Sequence, residues 1–205
     1  IAVLGEVDFI HLPPEKCFVP FDDFVDKVVG NYYTSVYVMR AGAVGRGVKE
    51  PRDLGQRSSY IWKMMPDGRV QRSTGHWVIS SQSCHTIRDF WPRGSCDKAN
   101  FHRIGSPKPG QKVPMRQSEV LISCDPENYL IRVACEPADL APGSPCLQGA
   151  AQILIRDRRE DSDGDGFFDE NPDYSGTDWC KIDRLIEACM HTKLVDWQWH
   201  PYRRE

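Results

Sequence analysis

The stretch SSYIWKMMPDGRVQR, Ser58–Arg72, decides the reading of the fold. Ser58–Met65 and Arg69–Arg72 are β-rich runs on either side of Pro66-Asp67-Gly68. Proline presets φ, aspartate offers a local acceptor and glycine accepts positive φ, so the two runs are expected to fold back as a hairpin. Further strands are expected on both sides. Upstream, Thr34–Arg40 (TSVYVMR) alternates and is rich in β-branched and aromatic residues. Downstream, short strands are expected at His76–Ser80, 119–124, 128–135 and 150–156. Residues 1–20 read as an extended arm or a first strand, and Ala41–Gln56 as a glycine-rich loop. Residues 90–117 carry Pro92, Pro107, Pro109 and Pro114 and read as one long loop.

Two helices flank this material. Phe21, Phe24, Val25 and Val28 recur at helical spacing, with Gly30 placed to end the turn. Trp179–His191 carries Ile182, Leu185, Ile186 and Cys189 on one face, and Thr177 or Asp178 caps its start. The expected class is therefore α+β: a mainly antiparallel sheet with two peripheral helices, stapled by disulfides. Nothing in the composition breaks 1–205 into two domains, with 157–205 as a candidate small appendage.

With 40% hydrophobic and 27% charged residues in 205, the chain is globular in composition. Its net charge of −3 excludes a strongly basic nucleic-acid binder. No apolar run approaches the roughly 18 residues that a membrane helix needs. Eight cysteines, widely spaced and without a CxxC, point to disulfides in an oxidising, extracytoplasmic compartment, whether secreted, periplasmic or at a cell surface. Connectivity stays open, apart from local arguments. Cys180 and Cys189, on one helix, stand roughly 13 Å apart and cannot pair with each other. Cys124 and Cys135 fall at different ends of a hairpin and are expected to pair elsewhere. Cys84 and Cys96 bracket a turn-rich loop as a plausible local pair.

Residues 160–173 hold seven carboxylates and no Lys or Arg, which leaves about +4 on the rest of the chain. Within them, Asp161, Asp163, Asp165 and Asp169 stand at positions 1, 3, 5 and 9 of a loop with Gly166 at position 6. That spacing wraps hard oxygen ligands around Ca²⁺, with the Phe167 carbonyl at position 7. DSDGDGFFD resembles the DxDxDG calcium loops of EF-hands, dockerins and thrombospondin type 3 repeats, over about a dozen residues. Pro172 occupies position 12, where an EF-hand has a bidentate glutamate, so Glu170 or Asp173 is left to complete the shell. The metal set is thus Asp161, Asp163, Asp165, Phe167, Asp169 and Asp173.

Other signals are weaker. Gly42–Gly47 (GAVGRG) is similar to a dinucleotide fingerprint, but Pro51 forbids the helix that must follow, and only Arg40, Arg46 and Lys49 remain as a weak anion site. Cys84-His85 are neighbours on an extended run and point to opposite faces, so they are no catalytic pair. Trp197 and Trp199 alternate near the C-terminus, fit to dock on the chain's own core or on a partner. Two functions are weighed. The first is an extracytoplasmic calcium-binding structural or interaction protein, a subunit or adhesion module of a surface or envelope assembly that associates with a protein partner or with itself. The alternative is a secreted calcium-stabilised hydrolase using His76, His102 or Asp89.

Overall fold

A computed structural model describes residues 5–42, 58–77, 83–92, 97–105, 115–136, 141–159 and 174–199. In chain order the strands are β1 (Glu6–Val7), β2 (Ile10–His11), β3 (Tyr32–Ala41), β4 (Ser58–Met64), β5 (Val70–Trp77), β6 (Ser83–Pro92), β7 (Asn100–Gly105), β8 (Met115–Ile122), β9 (Tyr129–Glu136), β10 (Pro145–Cys146), β11 (Gln148–Asp157) and β12 (Gln198–Trp199). Each of β3 to β8 in turn pairs antiparallel with its successor, β9 pairs with β11, and β11 returns to β3. The sheet closes on itself as an eight-stranded barrel.

This overturns the α+β expectation. The molecule is mainly β, and the reason lies in two strands that the prolines concealed. β7 (Asn100–Gly105) lies wholly inside the segment read as one long loop, and β6 (Ser83–Pro92) runs into it from a stretch to which no strand is assigned from the sequence. With them the ladder has enough strands to close, because β3 can hold β11 on one side and β4 on the other, through Tyr33 opposite Tyr60 and Thr34 opposite Ser59. Closure also removes the exposed edges that an open sheet would carry. His76 and Trp77 end β5 rather than opening a further short strand, and residues 43–57 and 78–80 lie outside the described residues. The Pro66-Asp67-Gly68 turn joins β4 to β5, with Gly68 at φ 84°.

One end of the barrel is shut by the N-terminal segment. A short α1 (Phe21–Asp23) continues as a π-helical turn over Phe24–Val28 and stops at Gly30, φ 81°. The preceding chain is laced in by Val19 N–H to Leu121 C=O (2.9 Å) and Ala99 N–H to Val19 C=O (2.8 Å). Helix α2 (Trp179–Met190) starts at Asp178, whose carboxylate accepts from Lys181 N–H at 2.9 Å. It lies against the outside of the wall, burying Ile182, Ile186 and Met190 among Val36, Ile131 and Ile153. A one-sided apolar stripe on a helix has to be covered in this way.

Among the described residues two disulfides are formed. Cys17–Cys189 ties the N-terminal arm to α2 across 172 residues, and Cys135–Cys146 joins β9 to β10. Cys189 therefore does pair away from Cys180, as helix geometry requires. Gly149 is needed beside the second bridge. A Cβ there would run into the Ala134 carbonyl and would meet the Cys146 sulfur at 2.6 Å. Cys124 and Cys180 are free and exposed. Cys96 lies outside the described residues. The C-terminal aromatics dock on the protein itself: Trp197 is buried, and Trp199, on β12 beside β3, packs its ring edge-on to Tyr37 at 4.8 Å.

Candidate ligand site in the barrel lumen

Side chains alternate across each strand, so register assigns every second residue to the lumen. Toward the closed end these inward residues are apolar and tightly shared. Phe24, Tyr33, Trp62, Val70, Phe90, Phe101, Leu121, Leu130 and Leu154 form one buried cluster. This plug leaves no water-exposed surface on Phe24, Trp62 or Leu154, each 0% accessible.

Above the plug the chemistry changes within a single step of each strand. Two residues from Val70 on the same face is Arg72, and Phe90, Phe101 and Leu130 are followed in the same way by Arg88, Arg103 and Arg132. Four guanidiniums from four strands thus converge on the middle of the barrel. Opposite them, among the described residues, stands one mid-lumen carboxylate, Glu119. Glu136 falls in the lumen column only at the last residue of β9.

Glu119 is fully engaged. Its Oε2 accepts from Arg72 Nη1 and, at 2.7 Å, from Arg132 Nη2, while Oε1 receives Trp62 Nε1–H at 3.4 Å. Arg132 also donates to Gln152 Oε1 at 2.9 Å, and the Tyr60 hydroxyl donates to the same oxygen at 2.8 Å. The Arg72 guanidinium packs over the Phe90 ring at 5.0 Å and over Tyr60 at 5.6 Å. Burial by itself would raise the Glu119 carboxyl, but Arg132 and Arg72 outweigh it and hold it below the usual carboxylate range. Burial, with Arg132 working in the same direction, pushes Arg72 down to about 10, still charged at neutral pH. Arg132 is also opposed by burial, yet Glu119 raises it.

Arg88 and Arg103 are different. Neither makes an ion pair with any described residue. Burial lowers Arg88, and the positive charges of Arg103 and Arg132 lower it further. Around them the inward residues are small or polar: Ser58, Thr74, Gln117, Ala134 and Ala150. Arg88, Arg103, Gln117, Ala150 and Gln152 are only half-buried although they face into a closed barrel. Four shielded polar atoms in this zone, Arg72 Nε, Thr74 Oγ1, Arg103 Nη1 and Gln117 Oε1, make no hydrogen bond. Buried polar atoms normally find partners, so the upper lumen has unused binding capacity.

The residues singled out from the sequence fall elsewhere. Asp161, Asp163, Asp165, Phe167, Asp169 and Asp173 lie outside the described residues, as do Arg46 and Lys49. Among the described residues no group of three or more His, Cys, Asp or Glu could hold a metal ion. The three hydrolase candidates are not brought together. Asp89 sits on the outer face, engaged by Gln71 (3.3 Å) and Arg69 (3.3 Å), whereas His76 lies five residues farther along β5 than Gln71, about 16 Å away. His102, on β7, stands opposite Trp91 and Ser118. Arg40 is in the lumen column near the rim, opposite Ala150.

Comparison with solved structures places this geometry. The chain is similar to a biogenic amine-binding protein solved as its selenomethionine derivative, with a TM-score of 0.53 at 10% identity over 84% of this chain and 79% of that one. It is likewise similar to the amine binding protein of Rhodnius prolixus in its tryptamine complex, with a TM-score of 0.52 at 10% identity over 85% and 79%. The fold is a lipocalin-like barrel. At that identity the likeness shows the fold alone. No family model matches the sequence, and no curated protein matches it.

Proposed function

We propose that this lipocalin-like chain is an extracellular binding protein that takes a small organic molecule into the upper half of its barrel. One observation carries the reading. Above a sealed apolar plug, inward-facing polar side chains keep accessible surface and unpaired hydrogen-bonding atoms inside a closed wall. The two disulfides suit an oxidising compartment, which supports the extracellular setting. The structural neighbours described as amine-binding support a small-molecule role for the architecture. Native mass spectrometry of the purified protein against a panel of indole, acyl and aromatic compounds tests it. A saturable one-to-one adduct is expected for at least one compound, and its absence across the panel would sink the reading.

A second, structural role rests on the acidic segment. Its carboxylate spacing supports Ca²⁺ held by Asp161, Asp163, Asp165, the Phe167 carbonyl, Asp169 and Asp173, in the connection between β11 and α2. Ca²⁺ there would brace that connection by neutralising the repelling aspartates. Addition of EGTA should lower the thermal midpoint, and Asp163→Ala with Asp165→Ala should abolish the shift. An unchanged midpoint in both proteins contradicts it. The C-terminal tryptophans are engaged within the chain, Trp197 in its core and Trp199 against Tyr37.

A further inference from the structure

The lumen carries its charge with the wrong sign for a cationic ligand. Four guanidiniums face one mid-lumen carboxylate, and that carboxylate is already saturated by Arg72, Arg132 and Trp62. An ammonium group that passed the rim would meet Arg88 and Arg103, with no free acceptor charge behind them among the described residues. Like charges brought together in a shielded site repel strongly.

We infer that the upper lumen is a site for a small organic anion, a carboxylate, sulfonate or phosphate ester, whose head group lies between Arg88 and Arg103. This deepens the binding function proposed above and rests on it. Three features converge. Arg88 and Arg103 lie on adjacent strands, one alternation step above Phe90 and Phe101, and have no carboxylate partner among the described residues. Arg103 Nη1 and Thr74 Oγ1 are shielded donors without acceptors, and Thr74 is 3% exposed. The apolar plug below stops the ligand at this depth, so the anionic end enters first and the body extends past Ala134 and Ala150 toward the mouth. Guanidiniums are suited to this task because they present paired donors in one plane to carboxylate or phosphate oxygens. An anion would also relieve the mutual repulsion of Arg88 and Arg103.

The test uses three probes that share one ring and nearly the same chain but differ in charge: indole-3-propionate, indole-3-propionamide and tryptamine. The longer anion 11-(dansylamino)undecanoate joins them. Titration calorimetry on the intact, disulfide-bonded protein should show one-to-one binding of at least one anion. The indole anion should bind at least tenfold tighter than the amide, and tryptamine should not saturate. Arg88→Gln and Arg103→Gln should each weaken the anion at least tenfold, while Arg103→Lys retains part of the affinity. Tryptamine or the amide binding as tightly as the anion overturns the anion assignment and leaves the barrel a carrier. Undiminished anion binding in both glutamine variants overturns the placement. If none of the four probes saturates, the anion assignment falls, and the compound panel decides separately whether the carrier function falls with it. The charge series on the unmodified protein stands even if a variant fails to fold.

Discussion

The two halves of the lumen are made by the same strands and obey opposite rules. In the lower half, Phe24, Trp62, Phe90, Phe101, Leu130 and Leu154 fill the barrel as a protein core does, with no accessible surface to spare. Farther along those strands, the inward positions hold Arg88, Arg103, Thr74 and Gln117, half-buried or carrying unpaired atoms. Between them lies the Arg72–Glu119–Arg132 layer, polar yet fully buried, which separates packing from binding. The lower half holds the fold together, and the upper half is left to chemistry.

The boundary layer should be the most sensitive place to cut. Glu119→Gln keeps the shape but leaves Arg72 and Arg132 buried without their counter-charge, so a loss of about 4 kcal/mol is expected in urea unfolding. The same ion cluster sets an acid limit. Because the Glu119 carboxyl is held low in the fold, its contribution is present at neutral pH, above the usual carboxylate range. It fades as pH falls through the depressed folded value, so the unmodified protein should lose stability there and Glu119→Gln should show a flatter acid limb. Next in size, Phe24→Ala opens the plug and should cost about 3 kcal/mol, with unchanged affinity for any ligand of the upper half, measured by urea melts and titration. Smallest in stability, Arg103→Gln should move the unfolding free energy by less than about 1 kcal/mol, since the guanidinium has no partner to lose. A large loss there would show that Arg103 belongs with the core rather than with the site.

The sequence made part of this visible. The Ser58–Arg72 hairpin, β3, the second half of β8, β9, β11, the helix capped at Thr177 or Asp178 and the exclusion of a Cys180–Cys189 bridge all follow from local turn chemistry and periodicity. β6 and β7 were hidden for a physical reason. Their inward columns switch from Arg88 to Phe90 and from Phe101 to Arg103, while the outward Trp91 is 46% exposed, so hydrophobic alternation is blurred. Prolines and glycines around residue 100 then dominated the reading. Barrel closure was not legible because it depends on β3 accepting partners from both directions, which no local pattern encodes. The arginine cluster is scattered over some sixty residues, so no local pattern brings it together. A signal did exist: each of the four arginines stands two places from an apolar residue that belongs to the plug.

The central claim is that ligand chemistry resides on the inward arginines of the upper barrel. Arginine Nε–Hε signals in a nitrogen–proton correlation spectrum, assigned by Arg88→Gln and Arg103→Gln, report on it directly during titration with indole-3-propionate. Saturable shifts at Arg88 and Arg103, with surface Arg69 and Arg184 unmoved, are the result this account predicts. Shifts confined to the surface arginines, with the lumen signals still, would contradict it.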